Sequence, residues 1–239
     1  MKPKLTTIQK EIRSLADPEK AKNLMRFFKT GKGHYGEGDI FLGLMVPEQR
    51  KIAIHYLELS LSDTMKLLHS KYHEERLIAL LILISKFKKG TPEEKKKIFD
   101  LYLANAKYVN NWDLVDQSAP LISGVFLVSQ KIALPILRKL ARSADLWERR
   151  IAIISTFAFI RAERFNETFE IAEMLLADKH DLIHKAVGWM LREVGKRDPK
   201  KEEEFIKKFA GKMPRTMLRY AIERFPEEKR KHYLVSSKA

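Results

Sequence analysis

The chain has no cysteine, and its 239 residues include only ten glycines and nine prolines. The lack of cysteine excludes disulfides, thiol chemistry and zinc sites built on thiolates. So few glycines and prolines argue against an all-β fold, which needs many turns. No apolar stretch approaches the ~20 residues that a membrane-spanning helix requires. We therefore expect a cytoplasmic protein that has no membrane partner.

Apolar residues recur at helical spacing through almost the whole chain. Asp17, Thr91 and Asp198 each precede a proline, and this pairing of a capping residue with proline is typical of a helix start. The predicted helices cover residues 4–16, 18–30, 47–58, 61–70, 73–89, 92–104, 111–128 with a break at Pro120, 130–142, 146–162, 165–177, 181–196, 199–210, 214–224 and 226–233.

The one long irregular segment, residues 30–46, contains five glycines. It is not preceded by a strand and does not end in the Gly-Lys-Ser/Thr signature of a nucleotide-binding loop. We interpret it as a mobile connection between helices.

A weak internal repeat runs through the helices. Glu75–Ala79 reads ERLIA, and 73 residues later Glu148–Ala152 reads ERRIA. Half of this offset, counted from Glu75, reaches Asn111–Trp112. Further steps of about 36 residues, counted from Glu148, reach His184–Val187 and Leu218–Ala221. Helix pairs of this length are typical of HEAT-like repeats, in which neighbouring pairs stack into one continuous core.

The expected fold is therefore all-α, a right-handed α-α superhelix (solenoid) of HEAT-like helical repeats. Its concave face should be lined by the second helix of each pair, and these helices carry many cations and aromatic residues. We expect a single domain over residues 1–234 and a disordered tail over residues 235–239.

Positive charge dominates the composition, since 46 Lys and Arg oppose 31 Asp and Glu for a net charge of +15. Such an excess favours a polyanionic partner, above all nucleic acid. Lys185, Trp189 and Arg192 share one helical face, which is distinct from the apolar face of the same segment. An aromatic ring among cations suits nucleic acid. The alternative is a tryptophan at the edge of the core beside solvated cations.

The segment NNWDLVDQSA, residues 110–119, places Trp112 and Asp116 four residues apart on one helical face. A carboxylate on a positive surface repels phosphates, so it is better explained if a cation has to be stabilised there. The alternative is that Asp116 pairs with Arg149 or Arg150 and braces adjacent repeats.

The segments NNWDLVDQSA, LWERRIAII and HKAVGWMLRE, in this order, resemble the AlkD-type DNA alkylation-repair glycosylases, which are HEAT-like repeat proteins. The segment YGEGDIFLGLMVPEQRKIA also resembles part of this wider family, and the likeness covers residues 15–225. It implies a monomeric, monofunctional hydrolase for base-excision repair. Such an enzyme hydrolyses the N-glycosidic bond of N3- or N7-alkylated purines in double-stranded DNA, with no metal or organic cofactor, and associates with the nucleoid when it binds DNA.

The resemblance also implies residue roles. Asp116 matches the catalytic aspartate, Trp112 and Trp189 match two tryptophans that hold the nucleotide, and Arg150 matches an arginine that contacts the DNA backbone. Phe27 is the best match for a third aromatic residue, which is often tyrosine in the family.

Phe28 is a second possibility for the third aromatic, and with either phenylalanine the tyrosine hydroxyl is missing. The expected basic face adds three DNA-binding candidates, which are Arg149, Lys185 and Arg192.

Other functions and sites remain open. The chain could be a non-catalytic helical-repeat module that binds DNA or RNA, or a scaffold for an acidic protein. The pairs His69/His73 and His180/His184 have metal-ligand spacing without a third ligand, so we expect solvent-exposed helix ends. The lysine-rich segment 200–208 is interpreted as a solvated helix face.

Overall fold

The structure, a computed structural model, describes residues 3–236 and is built from helices. Within this part of the chain the only β pairing is an isolated bridge between Ile40 and Tyr72. The α-helices are α1 (Leu5–Ser14), α2 (Pro18–Phe27), α3 (Val46–His55), α4 (Leu61–Leu68), α5 (His73–Lys89), α6 (Pro92–Ala104), α7 (Trp112–Ser118), α8 (Val125–Val128), α9 (Ala133–Ala141), α10 (Leu146–Arg161), α11 (Asn166–Met174), α12 (Asp181–Gly195), α13 (Pro199–Phe209), α14 (Arg215–Ala221) and α15 (Glu227–Ser236). The predicted all-α fold class is confirmed.

Local chemistry accounts for several helix boundaries. The side chains of Asp17, Thr91 and Asp198 accept hydrogen bonds from backbone amides in the first turns of α2, α6 and α13, as their positions before proline predict. The break expected at Pro120 is also present. Because proline has no amide hydrogen, the helix after α7 continues as a π-helical turn over Pro120–Gly124.

The chain divides into two compact units, and the division falls inside α7. We call the residues up to Leu114 the N-unit and those from Val115 onward the C-unit. The expectation of a single domain stays a prediction. Helix α15 extends to Ser236, two residues into the segment expected to be a disordered tail, and residues 237–239 lie outside the described part of the chain.

The N-unit packs around α5, whose residues from His73 to Leu83 are all buried. Helices α3, α4 and α6 contact α5. The glycine-containing segment is anchored to the same helix, since a carboxylate oxygen of Glu74 accepts hydrogen bonds from the amides of Leu42 and Gly43 at 3.0 and 2.8 Å. Gly43 has a φ of +94°, and a Cβ there would lie 2.2 Å from a backbone oxygen, so only glycine fits.

The C-unit is organised by α10, α12 and α14. Helix α12 packs between the other two, and the three helices begin 35 and 34 residues apart. At Gly188 on α12, a Cβ would lie 2.5 Å from the backbone oxygen of Met217 on α14. This close stacking of alternate helices at a constant interval is what a helical-repeat fold requires. Among residues 3–236, no helix combines the length and apolar character needed to cross a bilayer.

Candidate functional site

Trp112, the first residue of α7, belongs to an aromatic cluster of the N-unit. Its ring is half-buried and stacks on Phe28 at a centroid distance of 5.2 Å, with Phe27 edge-on at 6.0 Å. The side chain of Phe27 is 64% exposed, whereas Phe28 is 7% exposed and packs in the core with Phe41. Of the two candidates for the third aromatic, Phe27 is therefore the one that solvent, and hence a ligand, can reach.

Tyr35 is a member of this cluster that the sequence analysis missed. The indole Nε1 of Trp112 donates a hydrogen bond to the hydroxyl oxygen of Tyr35 at 3.2 Å. Tyr35 comes from the glycine-containing segment, 77 residues before Trp112, so no helical spacing could connect the two. A hydroxyl therefore contacts Trp112 although Phe27 has none, and the signal in the sequence that could have found it was an aromatic residue among glycines.

A buried cluster of charged side chains lies at the start of α7. His73 is enclosed by two carboxylates, with Nε2 2.8 Å from Oδ2 of Asp113 and Nδ1 3.1 Å from Oδ2 of Asp39. Arg76 forms a short ion pair with Asp39, and the side-chain amide of Asn111 donates to Asp39 at 3.1 Å. All five residues are buried. We call them the His73 cluster.

The electrostatics of the His73 cluster favour a protonated imidazole. Burial opposes a charge on His73, but the contacts with Asp113 and Asp39 outweigh burial and raise the pKa of His73 to about 9. Burial likewise opposes ionisation of Asp39, but His73 and Arg76 lower the pKa of this carboxyl below its usual value. The expectation of a solvent-exposed helix end is therefore wrong for His73. Within residues 3–236, no three His, Asp or Glu side chains form a group that could hold a metal ion.

In the C-unit, Asp116 is held by Arg150. The guanidinium donates from Nε to Oδ1 at 2.9 Å and from Nη2 to Oδ2 at 2.8 Å, which is a bidentate pair. Arg150 also forms a short hydrogen bond to the backbone oxygen of Leu182 and thereby connects α10 with α12. The ion pair considered as an alternative for Asp116 is present, and its partner is Arg150.

The two partners of this pair differ in exposure. The side chain of Arg150 is 5% exposed and that of Asp116 is 17% exposed. Arg150 thus fixes the carboxylate from the protein side, and direct contact of Arg150 with a DNA backbone stays a prediction.

Arg149 is held by contacts within the C-unit. Its Nε donates to the carboxylate of Asp178 at 2.6 Å, and Nη1 donates to the backbone oxygens of Ser143 and Ala144. These contacts tie the start of α10 to the segment before α12. The expected role of Arg149 in DNA binding stays a prediction.

Helix α12 presents Lys185, Trp189 and Arg192, and its apolar face is buried as expected. Trp189 is half-buried, and its Nε1 donates to Glu193 at 3.1 Å. Lys185 pairs with Asp181 at 2.6 Å, and Arg192 forms a short ion pair with Glu223. Carboxylates therefore partly neutralise the two cations of this face. We call Lys185, Trp189 and Arg192 the α12 stripe.

The described residues form a helical-repeat protein. Its N-unit carries Trp112, and its C-unit carries Asp116, Trp189 and the arginines of α10. A family model described as DNA alkylation repair enzyme matches residues 8–225. The chain therefore belongs to the DNA alkylation repair enzyme family.

Two solved structures share the fold. One is described as a predicted DNA alkylation repair enzyme from Enterococcus faecalis, with a TM-score of 0.70 and 17% identity, covering 89% of this chain and 97% of that one. The other is smu.31 from Streptococcus mutans UA159, with a TM-score of 0.52 and 18% identity, covering 98% of both chains. A comparison with curated proteins found no significant match.

Proposed function

We propose that this protein is a monofunctional DNA glycosylase that hydrolyses the N-glycosidic bond of N3- or N7-alkylated purines in duplex DNA. Membership of the DNA alkylation repair enzyme family supplies the context of alkylated DNA. The observation that carries the proposal is the carboxylate of Asp116, which is fixed at both oxygens by Arg150 yet remains partly exposed. Such a group is oriented before a substrate arrives.

The proposed hydrolysis needs a carboxylate but no general acid. An N3- or N7-alkylated purine carries positive charge, so it leaves with the electron pair of the C1′–N bond and becomes neutral. The sugar is left as an oxocarbenium ion, which an ionised carboxylate stabilises. Water then adds to C1′ and loses one proton to the surrounding water, and the products are an abasic site and the free base.

The tryptophans have a supporting role in this proposal. The face of an indole attracts a nearby cation by about 0.5–2 kcal/mol, depending on how far water is excluded. Trp112 and Trp189 are both half-buried, so each retains ring surface that a nucleotide could contact. They would favour the positively charged nucleotide over an undamaged one.

The test is to incubate the protein with methylated duplex DNA and to identify released bases by mass spectrometry. Wild type should release N7-methylguanine or N3-methyladenine. Asp116→Asn should lose about 10²–10³-fold in the excision rate, the usual cost of removing one electrostatic stabiliser of a transition state. Its affinity for DNA should stay within about three-fold, because the amide keeps the shape of the carboxylate.

Glu170→Gln is the matched control, because Glu170 also forms an ion pair with an arginine, Arg138, in the C-unit. This variant should excise like wild type. Equal excision by wild type and Asp116→Asn would reject the role of Asp116, and release of no base by wild type would reject the glycosylase.

The second candidate is a non-catalytic helical-repeat module that binds DNA or RNA. The bidentate contact with Arg150 favours it, because this contact also explains Asp116 as a brace between helices. In that case the wild-type protein would bind methylated duplex DNA and release no base.

A further inference from the structure

We propose that protonated His73 is a positioning residue for Trp112, acting through the two residues on either side of this tryptophan. Asn111 and Asp113 flank Trp112 in the sequence, and both belong to the His73 cluster: Asn111 contacts Asp39, and Asp113 contacts His73. Asn111 also accepts a hydrogen bond from the amide of Trp112 through its side-chain oxygen, at 2.8 Å. The backbone of Trp112 is therefore fixed from both sides by buried polar contacts.

With both carboxyl groups ionised, His73 can make its two contacts only as an imidazolium. Each ring nitrogen faces a carboxylate oxygen, and a carboxylate only accepts hydrogen bonds, so both nitrogens must carry hydrogen. The neutral ring would leave one nitrogen lone pair against a carboxylate oxygen.

The charge balance of the cluster depends on the same proton. The charged groups that contact His73 are Asp39 from the glycine-containing segment, Asp113 from α7 and Arg76 from its own helix α5. With His73 protonated, two cations balance two anions. Loss of its proton leaves a net negative charge in a buried site, which is costly.

Asp113 depends strongly on His73. Its Oδ2 contacts His73, while its Oδ1 is buried and has no hydrogen-bond partner among the described residues. When His73 loses its proton, the burial of this carboxylate is no longer compensated, and the first turn of α7 has to adjust. Trp112 begins that turn.

Aromatic packing gives a second connection between His73 and Trp112. Phe41 stacks on the imidazole at a centroid distance of 4.3 Å, and Phe28 contacts the imidazole at 5.1 Å and Trp112 at 5.2 Å. A cation next to these ring faces is attracted to them, and this attraction ends when the imidazole becomes neutral. Phe28 would then change its packing against both rings.

The test replaces tryptophan with 5-fluorotryptophan and follows the ¹⁹F NMR signals of Trp112, Trp147 and Trp189 between pH 6.5 and 10.5. Variants with phenylalanine at each position assign the three signals. We expect the Trp112 signal to shift with a midpoint near 9, where the pKa of His73 lies, and the other two to change little there. A Trp112 signal that does not move up to pH 10.5 would overturn the proposal.

Two variants separate His73 from other groups that titrate at high pH. His73→Gln should abolish the transition near pH 9 in the Trp112 signal. Tyr35→Phe should retain it, although the phenol that contacts Nε1 of Trp112 has been removed. An unchanged transition in His73→Gln, or its loss in Tyr35→Phe alone, would assign the effect elsewhere and refute the role of His73.

A direct measurement covers the case in which His73→Gln does not fold. The ¹⁵N shifts of labelled histidine in the wild-type protein report whether both nitrogens of His73 carry hydrogen at pH 7.5. Two protonated nitrogens are expected, and a neutral ring at this pH would overturn the proposal.

The consequence for catalysis rests on the proposed function. If Trp112 holds the damaged nucleotide, His73→Gln should lower the single-turnover excision rate about ten-fold, while its affinity for undamaged DNA stays unchanged. The NMR result needs no substrate. A wild type without excision would therefore refute the glycosylase and leave the positioning of Trp112 supported. A missing NMR transition would refute the positioning of Trp112, and the glycosylase would still depend on the excision assay.

Discussion

Trp112 and Trp189, the two candidate tryptophans, are held in different ways. Trp112 contacts three aromatic residues of the N-unit, and its neighbours in the sequence join the buried His73 cluster. Trp189 of the C-unit donates to Glu193 four residues further along the same helix, and its ring lies 6.1 Å from that of Phe157. Trp112 is fixed by several contacts that are distant in the sequence, whereas Trp189 has one hydrogen bond within its own helix and one ring contact from α10.

This difference has energetic consequences. A buried network of charges is costly to break, because removal of one partner leaves the others desolvated and uncompensated. The hydrogen bond from Trp189 to the buried Glu193 is a single contact, and Glu193 also pairs with Lys196, so this carboxylate is not left without a partner when the bond to Trp189 is lost. We therefore expect the conformation of Trp112 to depend on the integrity of the N-unit core, and that of Trp189 to tolerate changes around it.

The largest effect should come from Asp39→Ala. This substitution removes the shared partner of His73, Arg76 and Asn111, so the buried Arg76 loses its counter-charge and His73 loses one of its two carboxylate partners. The free energy of unfolding should fall by about 3–5 kcal/mol. Glu193→Gln, the corresponding change beside Trp189, should cost about 1 kcal/mol. Urea denaturation of both variants measures the contrast.

Asp100→Ala is the control for Asp39→Ala, because Asp100 forms an exposed ion pair with Lys96 in the same unit. Its effect should stay below about 0.5 kcal/mol. Equal losses for Asp39→Ala and Glu193→Gln would remove the distinction between the two tryptophans.

The sequence predicts those parts of the molecule that depend on neighbouring residues. The helix starts at Asp17, Thr91 and Asp198 follow from local capping chemistry, and the break at Pro120 follows from its missing amide hydrogen. The buried face of α12 follows from helical spacing. For Asp116, spacing left an ion pair open as an alternative, and the structure shows that pair with Arg150.

The sequence does not predict contacts between distant segments. Tyr35 contacts Trp112 across 77 residues, and the carboxylates around His73 come from segments 34 and 40 residues away. The spacing of four between His69 and His73 is typical of one helical face, but it does not identify the distant segments that pack on that face. Glu202 is similar, since it lies in a lysine-rich segment interpreted as solvated, yet it is buried.

A second comparison concerns how each unit responds to pH. In the N-unit, the raised pKa of His73 stabilises the fold fully below about 6.5, and this contribution is lost as the pH rises through about 9. In the C-unit, burial raises the pKa of Glu202 to about 8, although Arg192 acts in the opposite direction. Glu202 therefore destabilises the fold increasingly as the pH rises from about 4.5 to 8.

Glu202→Gln removes the titrating group of the C-unit. At pH 8.5 this variant should exceed wild type in the free energy of unfolding by about 2–5 kcal/mol, since no charge has to be buried, and at pH 4.5 the two should be nearly equal. Denaturant unfolding at both pH values gives the result. A difference that is the same at pH 4.5 and 8.5 would show that Glu202 does not titrate between them.

The smallest expected effect concerns the α12 stripe and the proposed contact with DNA. Lys185 pairs with Asp181, so part of its charge is already compensated before DNA binds. Lys185→Ala should therefore weaken binding to duplex DNA only about three-fold, and the slope of log K against log[salt] should fall by less than one. Fluorescence anisotropy over a range of salt concentrations measures both quantities.

Asp181→Asn makes the opposite change at the same ion pair. It frees the ammonium of Lys185 from its partner and should tighten DNA binding about two-fold, with a steeper salt dependence. Lys97→Ala, an exposed lysine on α6 of the N-unit, is the control and should leave the slope unchanged. If Lys185→Ala and Lys97→Ala lower the affinity equally, the attraction is a general effect of net charge. If only the changes at Lys185 and Asp181 act, and in opposite directions, DNA lies against α12.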